Sequence, residues 1–376
     1  MTQGEDGVPV SVSYPAQLNE LLTIATEKRC SDLHLAVGIA PMVRVRGELV
    51  SLDFPPLSPQ NLHDLIYSIL KPAQEEALEE RLELDISHAI PGVARFRGNI
   101  MQQRGTLAAV FRVVPFEVPS IDHLGLPTRI KDLCFLPRGL VLVTGPTGSG
   151  KSTTLAAMID LINRERKVNI VTVEDPIEFL HRHNKSIVKQ REVGLDTHSF
   201  ASALRHVLRH DPDVILIGEM RDLDSISIAL TAAETGHLVL STLHTQTAPL
   251  TINRIVDVFQ DHRRDQVRQQ LANTLRAVIS QQLLPTIDEQ DRVVAAELML
   301  DTPAIRNLIR EGKEHQIYSS IQTGRGQGMQ TMDQSLAGLY LEGKIKKEIA
   351  MEYCIDKTEM DRLLYRVGFG GDTFWN

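Results

Sequence analysis

The sequence predicts an α/β protein: a smaller α+β domain, then a larger domain whose parallel sheet carries a phosphate-binding loop, then a helical C-terminal region. Residues 145–153 read GPTGSGKST directly after the apolar run Leu140–Val143, the strand-to-loop-to-helix setting of a P-loop. From Arg138 onward, apolar runs of strand length alternate with helical patterns, the mark of a parallel sheet. A chain of 376 residues with 42% hydrophobic and 23% charged residues is globular and too long for one ordinary core.

The elements follow in order. Residues 1–14 are polar and irregular and read as a flexible N-terminus. Gln17–Ala25 places Leu18, Leu21, Leu22 and Ala25 on one side of a helix. Strands are predicted at Asp32–Val37, Met42–Val50, Ala94–Gln102 and Leu107–Val114, with one helical stretch, Pro59–Leu82, between them. Together they form an N-terminal domain over residues 15–114. Residues 115–137 contain four prolines and a DHLGLP turn, a composition suited to a linker. The core domain covers 138–300, with central strands at Leu140–Thr144, Asn169–Val173, Val214–Ile217 and Leu238–Thr242 and a short last strand at Val293–Leu300. Behind the loop, Leu155, Met158, Ile159 and Ile162 recur at helical spacing. Residues 301–364 are mostly helical; one helix has Thr302 as N-cap, Pro303 at its first position and Gly312 just past its end. Residues 365–376 read as a tail.

Composition excludes several classes. No run approaches the roughly 18 apolar residues of a spanning helix, and MTQGEDGVPV has neither the basic start nor the apolar stretch of a signal peptide, so a cytoplasmic protein is expected. Cys30, Cys134 and Cys354 lie far apart without C-x-x-C spacing, which argues against a disulfide framework or a zinc site. A net charge of −8 gives no global attraction to nucleic acid, and no nucleic-acid partner is expected.

The loop dictates its chemistry. Gly145, Gly148 and Gly150 let the backbone aim successive N–H groups inward, joined by those of Thr147, Ser149 and Thr153 around the helix start. Lys151 supplies a charge for the β- and γ-phosphates, and the Ser152 hydroxyl can ligate Mg²⁺. In an open parallel sheet reactive groups sit beyond the carboxyl ends of strands. After Val173 come Glu174, Asp175 and Glu178, able to order a water or hold hydrated Mg²⁺; the alternative is a solvated acidic turn. After Ile217 comes Gly218-Glu219, a Walker B layout in which Glu219 is the sole carboxylate at the tip and must serve metal, through water, or the attacking water itself. His237 and His244 bracket the third strand, about 23 Å apart if it is extended, so they cannot share one metal, and only His244 falls at the carboxyl edge. There it either hydrogen-bonds phosphate or is an ordinary satisfied histidine. His206 and His210 have i, i+4 spacing but no third ligand and read as surface residues. Arg95, Arg97, Arg104 and Arg112 crowd the last hairpin of the first domain, either as a salt-bridged sheet face or as a source of an arginine finger.

With these motifs in view, the chain resembles the secretion-type ATPases that power type II secretion, conjugation and type IV pili. The matching segments are SDLHL at 31–35, EDPIEF at 174–179 (the Asp box), DPDVILIGEMRD at 211–222 (Walker B) and the His box from Thr231 to His244. AIRNLIREGK at 304–313 and GMQTMDQSL at 328–336 are most similar to the pilus-retraction branch, and the missing cysteine pairs of the extension and secretion relatives point the same way. Ser241-Thr242-Leu243-His244-Thr245 stands where many relatives have GTLHT, and Gly98 where Val is more usual. The resemblance implies a PAS-like N-terminal domain, a RecA-like P-loop NTPase domain and a homohexamer that hydrolyses ATP with Mg²⁺. Glu178 and Glu219 would act on water and metal, His237 and His244 would be the box histidines at the nucleotide, and Arg104 and Arg112 would reach the γ-phosphate. It further implies peripheral association with the inner membrane at a pilus platform protein, and a possible second retraction ATPase as partner. An accessory retraction ATPase, an extension or secretion ATPase, and a nucleic-acid translocase are the competing readings.

Overall fold

Along the strands of the first unit buried and exposed residues alternate, so only one face of its sheet can enter a core. The computed structural model describes residues 14, 16–45, 47–114 and 117–368, and these fall into two units divided between residues 116 and 117. The expected flexible N-terminus, apart from Tyr14, and the tail beyond 368 lie outside the described residues. In the first unit the order is α1 (Leu18–Glu27), β1 (Asp32–Ala36), β2 (Met42–Val45), β3 (Glu48–Ser51), α2 (Pro59–Tyr67), α3 (Pro72–Arg81), β4 (Glu83–Ile90), β5 (Ala94–Gln103) and β6 (Thr106–Val114). The six strands form an antiparallel sheet in the order β3-β2-β1-β6-β5-β4. Leu18, Leu21, Leu22, Leu33, Phe96 and Phe111 fill its core. Gly98 fits that core for a steric reason: a Cβ there would lie 2.7 Å from the Phe111 ring and 2.8 Å from Ile86.

Three predictions in this unit need correction. The single helix expected over Pro59–Leu82 is two, because Pro72 cannot continue a helix and opens α3 at its first turn. The strand expected over Met42–Val50 is a hairpin, turned at Gly47 with φ +89°. Strand β4 was not foreseen; it is an edge strand carrying four polar or charged residues, Glu83, Asp85, Ser87 and His88, and pairs only with β5.

The second unit runs α4 (Arg129–Leu133), β7 (Gly139–Thr144), α5 (Lys151–Glu165), β8 (Asn169–Glu174), β9 (Ile187–Glu192), α6 (Phe200–Val207), β10 (Val214–Ile217), α7 (Leu223–Glu234), β11 (Leu238–Leu243), α8 (Ala248–Asp257), α9 (Asp261–Thr274), β12 (Leu275–Pro285) and β13 (Arg292–Leu300). Helices α10 (Pro303–Arg310), α11 (Ile317–Thr323), α12 (Met332–Leu341), α13 (Lys347–Tyr353) and α14 (Lys357–Gly368) complete it. Its seven strands are ordered β13-β12-β7-β11-β10-β8-β9, all parallel except the β12–β13 pair. Helices cover both faces, so β7, β10 and β11 are buried throughout, as their apolar runs require. Leu155, Met158, Ile159 and Ile162 of α5 all lie in one of the two cores. Helix α10 begins and ends as its residues predict: the Thr302 hydroxyl accepts from the Ile305 N–H at 3.2 Å, and Gly312 has φ +65°.

Here too the structure adds and corrects. Strands β9 and β12 were missed, β9 because IVKQRE is a largely polar edge, β12 because Ser280, Gln281 and Gln282 interrupt its apolar pattern. Ser280 and Gln281 are buried against partners remote in sequence: Thr144 donates to Ser280 at 2.9 Å, and Gln281 to Thr154 at 2.9 Å. The linker expected over 115–137 is largely part of the second unit. Ile121, Leu126, Ile130, Leu133 and Cys134 are buried beside α5, and Arg166 donates to the Cys134 and Leu136 carbonyls. The tail expected from 365 is helical as far as Gly368. Cys30 and Cys134 are buried thiols, and His206 and His210 are exposed. No described helix is long and apolar enough to cross a membrane.

Candidate nucleotide site

The carboxyl ends of β7, β8, β10 and β11 open into a cleft of about 580 Å³ inside the second unit. The glycine loop forms one wall. Gly145 has φ +139°, and a Cβ on it would lie 2.3 Å from the Gln281 carbonyl oxygen and 2.6 Å from Ser149 Oγ, so the crossing of β12 itself requires glycine. Gly148 and Gly150 have φ +81° and +89°, and a Cβ on either would meet nothing within 4 Å. At these two positions the turn's handedness, not crowding, selects glycine. Helix α5 starts at Lys151, its orphan N–H groups facing the cleft with Thr147, Ser152 and Thr153. Ser149 is buried instead of lining the cleft.

Lys151 is 8% exposed and donates from Nζ to the Gly145 and Pro146 carbonyls, both at 2.9 Å. Burial holds its pKa below the ordinary value, with the charges of Glu219 and Glu178 opposing. Glu174, predicted at the ligand, lines the cleft with its carboxylate already hydrogen-bonded. Thr172 and Gln190 donate to its Oε1 at 2.6 and 3.1 Å, and burial raises its pKa. Asp175 and Glu178 are exposed on the cleft wall. His181, absent from the sequence reading, also lines the cleft; burial pushes it down to about 4, so it is neutral at physiological pH.

Glu219 stands at the tip of β10. Its carboxylate meets His244 Nε2 at 3.0 Å and Arg221 Nη2 at 2.9 Å. Gly218 permits this approach of β10 to β8: its N–H donates to the Val173 carbonyl at 2.8 Å, and a Cβ would come within 3.3 Å of Glu174 Cα. Arg221 was missed, although its place two residues beyond the Walker B carboxylate, in a non-helical segment, was the available signal. The donor set suits Mg²⁺, a hard ion that takes one or two protein oxygens and keeps waters: the Ser152 hydroxyl and Glu219 both face the cleft. Among the described residues no group of three or more His, Cys, Asp or Glu could hold a metal by itself.

One predicted residue of the second unit lies away from this cleft. His237 lies at the opposite, amino end of β11, about 23 Å of extended chain from His244. Its Nδ1 is 2.9 Å from the Ala232 carbonyl oxygen, so within this chain it closes the α7–β11 turn. In the first unit Arg104 sits at the β5–β6 turn with φ +49°, whereas Arg112 lies opposite Arg97 and about 20 Å further along the strands. Arg112 donates to Asp32 Oδ1 at 2.9 Å across β1 and β6.

The family described as type II/IV secretion system protein matches residues 13–362. The chain is 52% identical over 335 residues to the type IV pilus retractation ATPase PilT of Pseudomonas aeruginosa, covering 89% of this chain and 97% of that one. It is 38% identical over 356 residues to the type IV pilus ATPase PilU of the same organism, covering 95% and 93%. A crystal structure of the pilus retraction motor PilT with bound ADP superposes with a TM-score of 0.87 at 50% identity, covering 92% of this chain and 99% of that chain. The glycine cradle, the buried lysine and the Walker B carboxylate at one sheet edge thus belong to a nucleotide-binding ATPase, and the chain is a member of the type II/IV secretion system protein family.

Proposed function

We infer that this chain is a homohexameric, cytoplasmic motor that couples MgATP hydrolysis to movement between its two units and thereby drives type IV pilus retraction. The observation that carries this reading is the 52% identity to a retractation ATPase across 97% of its length, in a chain whose own cleft joins Lys151, Ser152, Glu219 and His244. The lower identity to PilU, 38%, favours the principal retraction motor over the accessory one.

On this reading Lys151 exchanges its two loop carbonyls for the β- and γ-phosphate oxygens. Ser152 and, through water, Glu219 would hold Mg²⁺, which would supply charge neutralisation to the phosphates. Glu219 and Glu178 orient the water for in-line attack on the γ-phosphoryl group, taking its proton as the P–O bond to ADP breaks. His244 hydrogen-bonds the γ-phosphate and passes its loss to α8, which begins four residues later. Arg104 and Arg112 retain their expected role in neutralising the γ-phosphate. The motor docks on a platform protein at the inner membrane, and a second retraction ATPase is a candidate partner. A net charge of −8 gives no global attraction to nucleic acid, so none is proposed as a partner.

The test is a strain lacking the gene. Wild-type chain restores pilus retraction and Lys151→Ala does not, and the purified Lys151→Ala protein has no ATP turnover. Retraction that persists without the gene, or is restored by the Lys151→Ala chain, would reject the proposal.

A further inference from the structure

Glu219 has a nitrogen close to each carboxylate oxygen, His244 Nε2 at 3.0 Å from Oε1 and Arg221 Nη2 at 2.9 Å from Oε2. The second guanidinium nitrogen of Arg221 lies 3.9 Å from Asp175 Oδ2, so one side chain reaches from the tip of β10 toward the Asp box at the tip of β8. His244 ties the same carboxylate to β11. Stability does not account for this bridge, because Arg221 is 59% exposed and exposed ion pairs contribute little. Geometry does. An ionised carboxylate offers about four acceptor positions, and a nitrogen against each oxygen brackets its plane while leaving positions for water or a hydrated metal. A planar guanidinium can hold that plane against a second carboxylate; a lysine ammonium, a single point, cannot.

The geometry points to Arg221 as a positioning residue: it holds Glu219 in the plane from which it acts on the attacking water and ties that plane to the Asp box. This rests on the reading of the cleft given above. The reacting groups need tight placement, since about 1 Å of displacement costs on the order of 10²-fold in rate.

Full-length Arg221→Gln, Arg221→Lys and Glu219→Gln, compared with wild type, test it. Arg221→Gln is expected to lower kcat about 10- to 100-fold, with KM for ATP and the equilibrium Kd of a fluorescent nonhydrolysable ATP analogue within about threefold. Arg221→Lys, which guards against misfolding of the glutamine variant, is expected to fall between that and wild type at unchanged Kd. Wild-type or higher kcat in either Arg221 variant, with Glu219→Gln inactive, overturns the inference and leaves the reading of the cleft standing. A raised KM and Kd at unchanged kcat also overturns it, making Arg221 a nucleotide-binding residue. Turnover that survives in Glu219→Gln removes the reading itself.

Discussion

In the seven-stranded sheet, β7, β10 and β11 are buried at every position, and helices lie on both faces. In the six-stranded sheet, β5 buries Ala94, Phe96, Gly98 and Ile100 and turns Arg95, Arg97 and Asn99 the other way. A row of charge crosses that second face: Arg44, Asp32, Arg112 and Arg97 stand in register on β2, β1, β6 and β5. The central strands, covered on both sides, leave room for charged groups only where they end, so Lys151, Glu219 and His244 gather at those tips. A sheet with one polar face can carry them in mid-strand. Asp32 shows the cost: burial works against its charge, yet hydrogen bonds from Ser31 and Arg112 hold its pKa below the ordinary range.

The arginine face offers the sharpest way to test that contrast. If Arg112 serves the γ-phosphate, Arg112→Ala lowers kcat about 10³-fold or more while the affinity for a nonhydrolysable ATP analogue stays within a few fold. If it is only the partner of Asp32, kcat is unchanged and the loss appears in thermal melting, with Asp32 left buried and uncompensated. Steady-state kinetics and a melt of the same preparation separate the two.

The two ends of β11 come next. His244→Ala removes the imidazole beside the Glu219 carboxylate and should reduce kcat about 10- to 100-fold without a large change in melting temperature. His237→Ala, at the other end, loses the Ala232 contact and should appear as about 1 kcal/mol of stability. Reversed outcomes, with stability lost at 244 and melting unaffected at 237, would show that the strand ends are not divided in this way.

The last contrast concerns a carboxyl buried away from any tip. Glu297 on β13 is fully buried and accepts from the Ala248 N–H at 2.8 Å, where α8 begins. Burial, with Asp333 adding to it and backbone donors opposing, pushes its carboxyl up to about 7. A pKa raised on folding means the unfolded chain ionises first, so wild type loses stability as pH rises from about 4.5 to about 7. Urea melts should therefore show Glu297→Gln gaining on wild type between these pH values. A difference that is constant with pH rules out Glu297 as the titrating group.

Much of this was legible in the residues. GPTGSGKST after an apolar run places the phosphate loop, because a strand, a tight glycine turn and a helix are local events. The long apolar runs mark the central strands for the same reason. The missed strands are the polar ones. β12 is held in the sheet by Thr144 and Thr154, each more than a hundred residues away, and β9 and β4 by a single neighbouring strand. Residue spacing likewise placed Glu219 at a tip but said nothing of Arg221 and His244 on its two oxygens.

By itself, then, the sequence determined the two kinds of sheet, the glycine turn and the acids and histidine that follow the strands, since these depend on residues a few positions apart. Tertiary structure alone decided which polar groups meet. It seated Gly145 under the Gln281 carbonyl, set His237 apart from His244, and divided Arg104 from Arg112. Pairings of that kind depend on register and close approach between distant segments, which hydrophobic periodicity does not encode.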